Sequence, residues 1–193
     1  WEYLKAGPVT RERHGAVYNE GTAELWVFGG AAQGAPAVAV LALDEPDLWI
    51  DPGLADSPSE LLRDTCGAIV GDDLLLFGGR KELPGEPAFQ AAPTPTVWRL
   101  FSGGAGWQSE SYELESARPL AGCLAVSEAS KSDVTVLPGA AHPMASWAST
   151  FTFDGEAGAW SIDQPWAEIP ARVGATIALR AKDGATWLFG GAR

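Results

Sequence analysis

Short apolar runs closed by glycine recur along the chain. ELWVFGG at 24–30 returns as DLLLFGG at 73–79, as DVTVLPG at 133–139 and as ATWLFGG at 185–191. Each run is too short for a helix and is bounded by turn residues, so each reads as a strand. Leu74 to Phe77 and Leu25 to Phe28 are apolar at successive positions. Side chains alternate across a strand, so such a strand is apolar on both faces and must be covered on both.

A second strand precedes each run. RERHGAV at 11–17, RDTCGAI at 63–69, RPLAGCL at 118–124 and PARVGAT at 170–176 align on Gly15, Gly67, Gly122 and Gly174. Asn19-Glu20-Gly21, Gly71-Asp72 and Lys182-Asp183-Gly184 separate the two strands and carry hairpin chemistry. A third strand is expected over 37–43, 96–101 and 149–153. A tryptophan then opens a fourth, at Trp49, Trp107 and Trp160, with Trp1 at the same register ahead of the first copy.

The unit is therefore a four-stranded antiparallel meander of about 50 residues, a period that marks repeat architectures. Radial stacking of such sheets covers both faces of each one, which is the geometry of a β-propeller. The fold class expected is all-β, a propeller of four-stranded blades over 11–51, 63–111 and 118–163. A partial blade follows at 170–193, and residues 1–5 supply the last strand of a preceding or closing blade. The paired glycines are expected to leave the second strand with positive φ where neighbouring blades crowd.

The double glycine after an apolar strand, the apolar or aromatic residue ahead of each tryptophan (Leu43, Phe101, Phe153) and the period resemble the kelch repeat. The resemblance spans essentially the whole chain and extends to the propeller of galactose oxidase. Two features depart from it: Pro138-Gly139 replaces a glycine pair, and Leu43 or phenylalanine stands where strand three usually has tyrosine. Kelch propellers close with five to seven blades, so the resemblance implies an incomplete ring. The remaining blades would come from sequence outside this chain or from another chain.

Composition narrows the partners. The net charge is −12, and no basic cluster offsets it, so nucleic acid and anionic membrane are excluded as partners. Between residues 31 and 62 stand six carboxylates (Asp44, Glu45, Asp47, Asp51, Asp56, Glu60) and no Lys or Arg, read as a solvated rim or as a docking patch for a basic partner or a divalent cation, though without the spacing of a calcium loop. Cys66 and Cys123 lie in apolar strand-like stretches and read as free, buried thiols. That reading favours a reducing compartment and a cytoplasmic location.

The resemblance implies that the loops joining strands two to three and four to one share a binding face. Here they are residues 80–95, rich in Pro and Ala, and residues 52–62, where Ser57-Pro58-Ser59-Glu60 predicts a short helical turn. Arg11, Arg63 and Arg118 recur at the start of strand one, near the mouth of that face. In kelch-type adaptors of ubiquitin ligases, arginines at a similar place grip acidic peptides with planar, bidentate donors. The alternative is a strut, each arginine holding a carboxylate of its own or the next repeat, such as Glu12 or Asp64. Arg80 and Trp147 complete the candidate partner-binding set. Trp49, Trp107 and Trp160 read as core, and Trp98, Trp147 and Trp166 as exposed.

Catalytic signals are thin. His14 is expected to be packed and hydrogen-bonded. His142 is the other histidine, and Tyr3, Tyr18 and Tyr112 fall in no ligand motif. Gly103 to Gly106 lacks a following helix or lysine and reads as a hairpin turn. The function expected is a non-catalytic protein-interaction module with no cofactor and no metal. The alternatives are the propeller of an oxidase or carbohydrate-active enzyme, and a structural subunit of a larger assembly.

Overall fold

The structure, a computed structural model, describes residues 11–30, 37–45, 48–54, 62–81, 94, 96–103, 106–112, 122–127, 133–137, 151–154, 157, 159–162, 173–180 and 185–192. Among them every regular element is a strand, and the sheets are antiparallel. No helix of the described residues is long and apolar enough to cross a membrane.

The first sheet runs β1 (Gly15–Asn19), β2 (Glu24–Phe28), β3 (Val38–Ala42) and β4 (Trp49–Ile50), each strand pairing the next. A two-stranded ribbon of β5 (Leu62–Arg63) and β8 (Arg80–Lys81) accompanies the second sheet. That sheet is built from β6 (Cys66–Val70), β7 (Asp73–Phe77), β9 (Val97–Gly103) and β10 (Gly106–Tyr112). The ribbon turns the first two residues of the expected 80–95 loop into strand. Gly103 pairs with Gly106, as a hairpin turn requires. The third sheet runs β11 (Leu124–Ser127), β12 (Asp133–Leu137), β13 (Phe151–Asp154) and β14 (Ala159–Ile162), and β15 (Val173–Arg180) pairs with β16 (Ala185–Ala192). The expected helical turn at residues 57–60 lies outside the described residues.

First strands pack in series, β1 on β6, β6 on β11 and β11 on β15. Two apolar clusters fill the spaces between sheets. Trp26, Phe28, Val38 and Val40 of the first sheet meet Leu74, Leu76 and Leu100 of the second. On its other face, Leu75, Phe77 and Val97 meet Val134 and Val136 of the third. Successive residues of β7 thus enter different clusters, which is why that strand is apolar throughout. Trp26 is 1% exposed and meets Trp107 edge-on at 4.6 Å. Its burial contributes on the order of 4–6 kcal/mol. Trp49 and Trp107 are half-buried, and so is Trp98, which packs into the first cluster rather than facing solvent.

Gly29, Gly30, Gly78 and Gly79 all have positive φ, and the amides of Gly29 and Gly78 donate to Ala37 and Thr96. At Gly30, with φ of 82°, a Cβ would stand 2.7 Å from the Glu12 carbonyl and 3.0 Å from the His14 Cβ. The crowding therefore comes from the start of the same repeat, not from a neighbouring one. Inter-repeat crowding falls instead on the first strand. The Phe28 ring fills the space above Gly15 and reaches the next repeat, where a Cβ on Gly67 would be 2.6 Å from its Cζ.

Cys66 and Cys123 are joined in a disulfide, with Cα atoms 5.4 Å apart, and no described cysteine is free. The expectation of free thiols is corrected, and the cytoplasmic location that rested on it loses that ground. Spacing alone hid the bridge, because the two residues belong to different repeats and meet only when those repeats stack.

Candidate functional site

The end of the first two sheets that carries the glycine pairs gathers the arginines. Their register follows from strand pairing rather than from the aligned glycines. Gly15 pairs with Phe28, Cys66 with Phe77, and Leu124 with Leu137, each at the last residue of a second strand. Gly15, Cys66 and Leu124 are therefore equivalent, and Gly67 and Gly122 are not. Two residues before each stand Arg13, Asp64 and Gly122, with φ of 58°, 59° and 64°. The left-handed conformation is retained although two of the three carry side chains, which costs roughly 1–2 kcal/mol for a residue with a Cβ, less for Asp.

A backbone chain explains why it is retained. The Asp64 amide donates to the Arg13 carbonyl at 3.2 Å, and the Gly122 amide donates to the Asp64 carbonyl at 2.8 Å. Two backbone hydrogen bonds in series thus run across three repeats. Side chains reinforce the first of them. The Arg13 guanidinium forks onto the Asp64 carboxylate, Nε at 2.8 Å from Oδ1 and the second nitrogen in contact with Oδ2. One position earlier, Arg63 lies 3.5 Å from Glu12. Equivalent positions in neighbouring repeats thus carry opposite charges.

Arg80 stands opposite Arg63 in the ribbon and lies 3.5 Å from the Asp64 carboxylate, which so holds two guanidinium groups. Arg11 donates to the Gly29 carbonyl at 2.8 Å, and burial pushes its pKa down. In the next repeat the equivalent carbonyl, Gly78, accepts instead from the buried Thr65 hydroxyl at 3.4 Å. The side chains of Arg63 and Arg80 are 15% and 14% exposed, whereas that of Arg13 is 44% exposed and forms the accessible edge of the cluster.

Of the residues singled out in the sequence, Arg11, Arg63 and Arg80 come together here, and Arg118 and Trp147 lie outside the described residues. Arg11 and Arg63 are not structural equivalents, because Arg63 occupies the position of Glu12. Arg13 and Asp64, the central pair, were missed as site residues. The signal available was a charged residue of opposite sign at one repeat position, and aligning on glycines concealed it. His14 is exposed rather than packed.

The second sheet carries a different ionic group across β7, β9 and β10. Arg99 donates to Asp73 through Nε at 2.7 Å, and Tyr112 donates to Glu110 at 2.9 Å. The hydrogen bond to Asp73 raises the Arg99 pKa, and burial followed by the bond to Glu110 raises that of Tyr112. Arg99 also stacks on Phe101 at 5.2 Å. This network ties β7, β9 and β10 together at the surface.

Compared with known proteins, the chain matches no family model and no curated protein.

Proposed function

We propose that the chain is a kelch-type propeller segment acting as a non-catalytic protein-interaction module, and that its glycine end takes an acidic peptide segment. The observation that carries this reading is the convergence of Arg11, Arg13, Arg63 and Arg80 at one end of a chain whose net charge is −12. Guanidinium forks suit carboxylates, and a locally positive end in a negative field selects an acidic segment by position as well as by sign. The serial packing of first strands, with the second sheet covered on both faces, supports the blade reading.

The test is a fluorescence-anisotropy titration of a labelled Asp- and Glu-rich peptide against the whole chain. Binding is expected at low ionic strength and weakens as salt screens the exposed groups. Arg13→Gln removes the accessible guanidinium of the cluster, so affinity falls about tenfold or more. Arg99→Gln, opposite Leu75 in the middle of the second sheet, leaves affinity unchanged. Thermal melts of both variants separate a lost contact from a lost fold. No binding at low salt, or equal binding by wild type and a folded Arg13→Gln variant, refutes the proposal.

A further inference from the structure

We infer that this chain matures where thiols are oxidised, and that Cys66–Cys123 is a permanent covalent clasp between the second and third repeats. The two junctions differ in chemistry. Between the first and second repeats the left-handed backbone link is reinforced by Arg13 on Asp64 and by Arg63 near Glu12. At the next junction the residue equivalent to Asp64 is Gly122, which has no side chain to pair. The disulfide stands there instead: Cys123 follows Gly122 directly, and Cys66 lies two residues beyond Asp64. The Ser127 hydroxyl also donates across the junction to the Ile69 carbonyl.

Burial makes the clasp a structural bond rather than a switch. Cys66 and Cys123 are 7% and 6% exposed, within the cluster of Ala68, Leu75, Phe77, Val97, Val134 and Val136. Thiol–disulfide exchange needs a thiolate to reach one sulfur in line. In the folded chain that access requires the second and third repeats to part. Formation carries the same constraint. Two thiols become one S–S bond, and their two protons and two electrons pass to the disulfide of an oxidoreductase, which leaves as the dithiol. That exchange takes place before the third sheet seals the cluster, in a compartment holding such an oxidant.

The experiment is intact-mass analysis of the whole chain after alkylation, made once with a secretory leader into an oxidising compartment and once in a reducing cytosol. For the exported chain, no alkyl group is expected on the native or the denatured protein, and two after denaturation with reductant. Two alkyl groups before reduction overturn the clasp. The cytosolic chain, with both thiols free, is expected to melt about 5–15 °C below the exported one. Equal melting of the two overturns the inference about maturation. Cys66→Ala/Cys123→Ala is expected to match the reduced chain, and melting as high as the cross-linked protein also overturns the clasp. Should that variant not fold, wild type is followed in reductant at rising sub-denaturing urea. Alkylation that accelerates with urea supports the clasp, and fast alkylation without urea refutes it.

Discussion

Asp64 joins three repeats. Its amide and carbonyl link the first repeat to the third through the second, and its carboxylate holds Arg13 and Arg80. It does so with φ of 59°, a conformation that Asp tolerates better than most residues and Ala does not. Two substitutions therefore separate conformation from charge. Asp64→Ala loses the carboxylate and keeps the backbone strain, and is expected to cost about 1–3 kcal/mol, discounted because Arg13 is partly exposed. Asp64→Gly loses the same carboxylate but relieves the strain, so it is expected to unfold about 1 kcal/mol later in urea than the alanine variant. Equal urea midpoints for the two would contradict a left-handed Asp64.

At the scale of the strands, the ionic group across β7, β9 and β10 has its own pH signature. An unfolded tyrosine ionises near pH 10, and Tyr112, pushed up by burial and then by its bond to Glu110, ionises above its ordinary value. Below that range the phenol is protonated in both states and stability does not respond. As pH rises through it, the unfolded chain releases the proton first, so stability declines until the folded phenol ionises as well. Tyr112→Phe is expected to flatten that decline in urea midpoints compared at pH about 8 and about 11; an unchanged decline would contradict it. The strands were largely legible in the sequence, since apolar runs, turn residues and tryptophans bracket them. Their register was not. Asn19 pairs with Glu24, Val70 with Asp73 and Ser127 with Val134, so the hairpins differ in length. Glycines aligned along the chain consequently drift by one position at Gly67 and by two at Gly122.

For the whole molecule, the doubly apolar β7 correctly implied a second sheet covered on both faces, because alternation dictates it from local composition. The contacts between repeats were less legible. The disulfide and the Arg13–Asp64 fork each need two residues more than fifty positions apart, and no local pattern announces which pairs meet. Of the arginines named from the sequence, Arg63 takes the role of a strut to Glu12, whereas Arg13, the accessible member, was missed. The central claim is that the repeats stack face to face with the second sheet in the middle. Native-state hydrogen exchange tests it most directly. The amides of Leu74–Phe77 and Val97–Leu100, covered on both faces, are predicted to exchange last and together, while those of β4 exchange first. Exchange from the second sheet as fast as from β4 would contradict the stacking on which the proposed binding end is built.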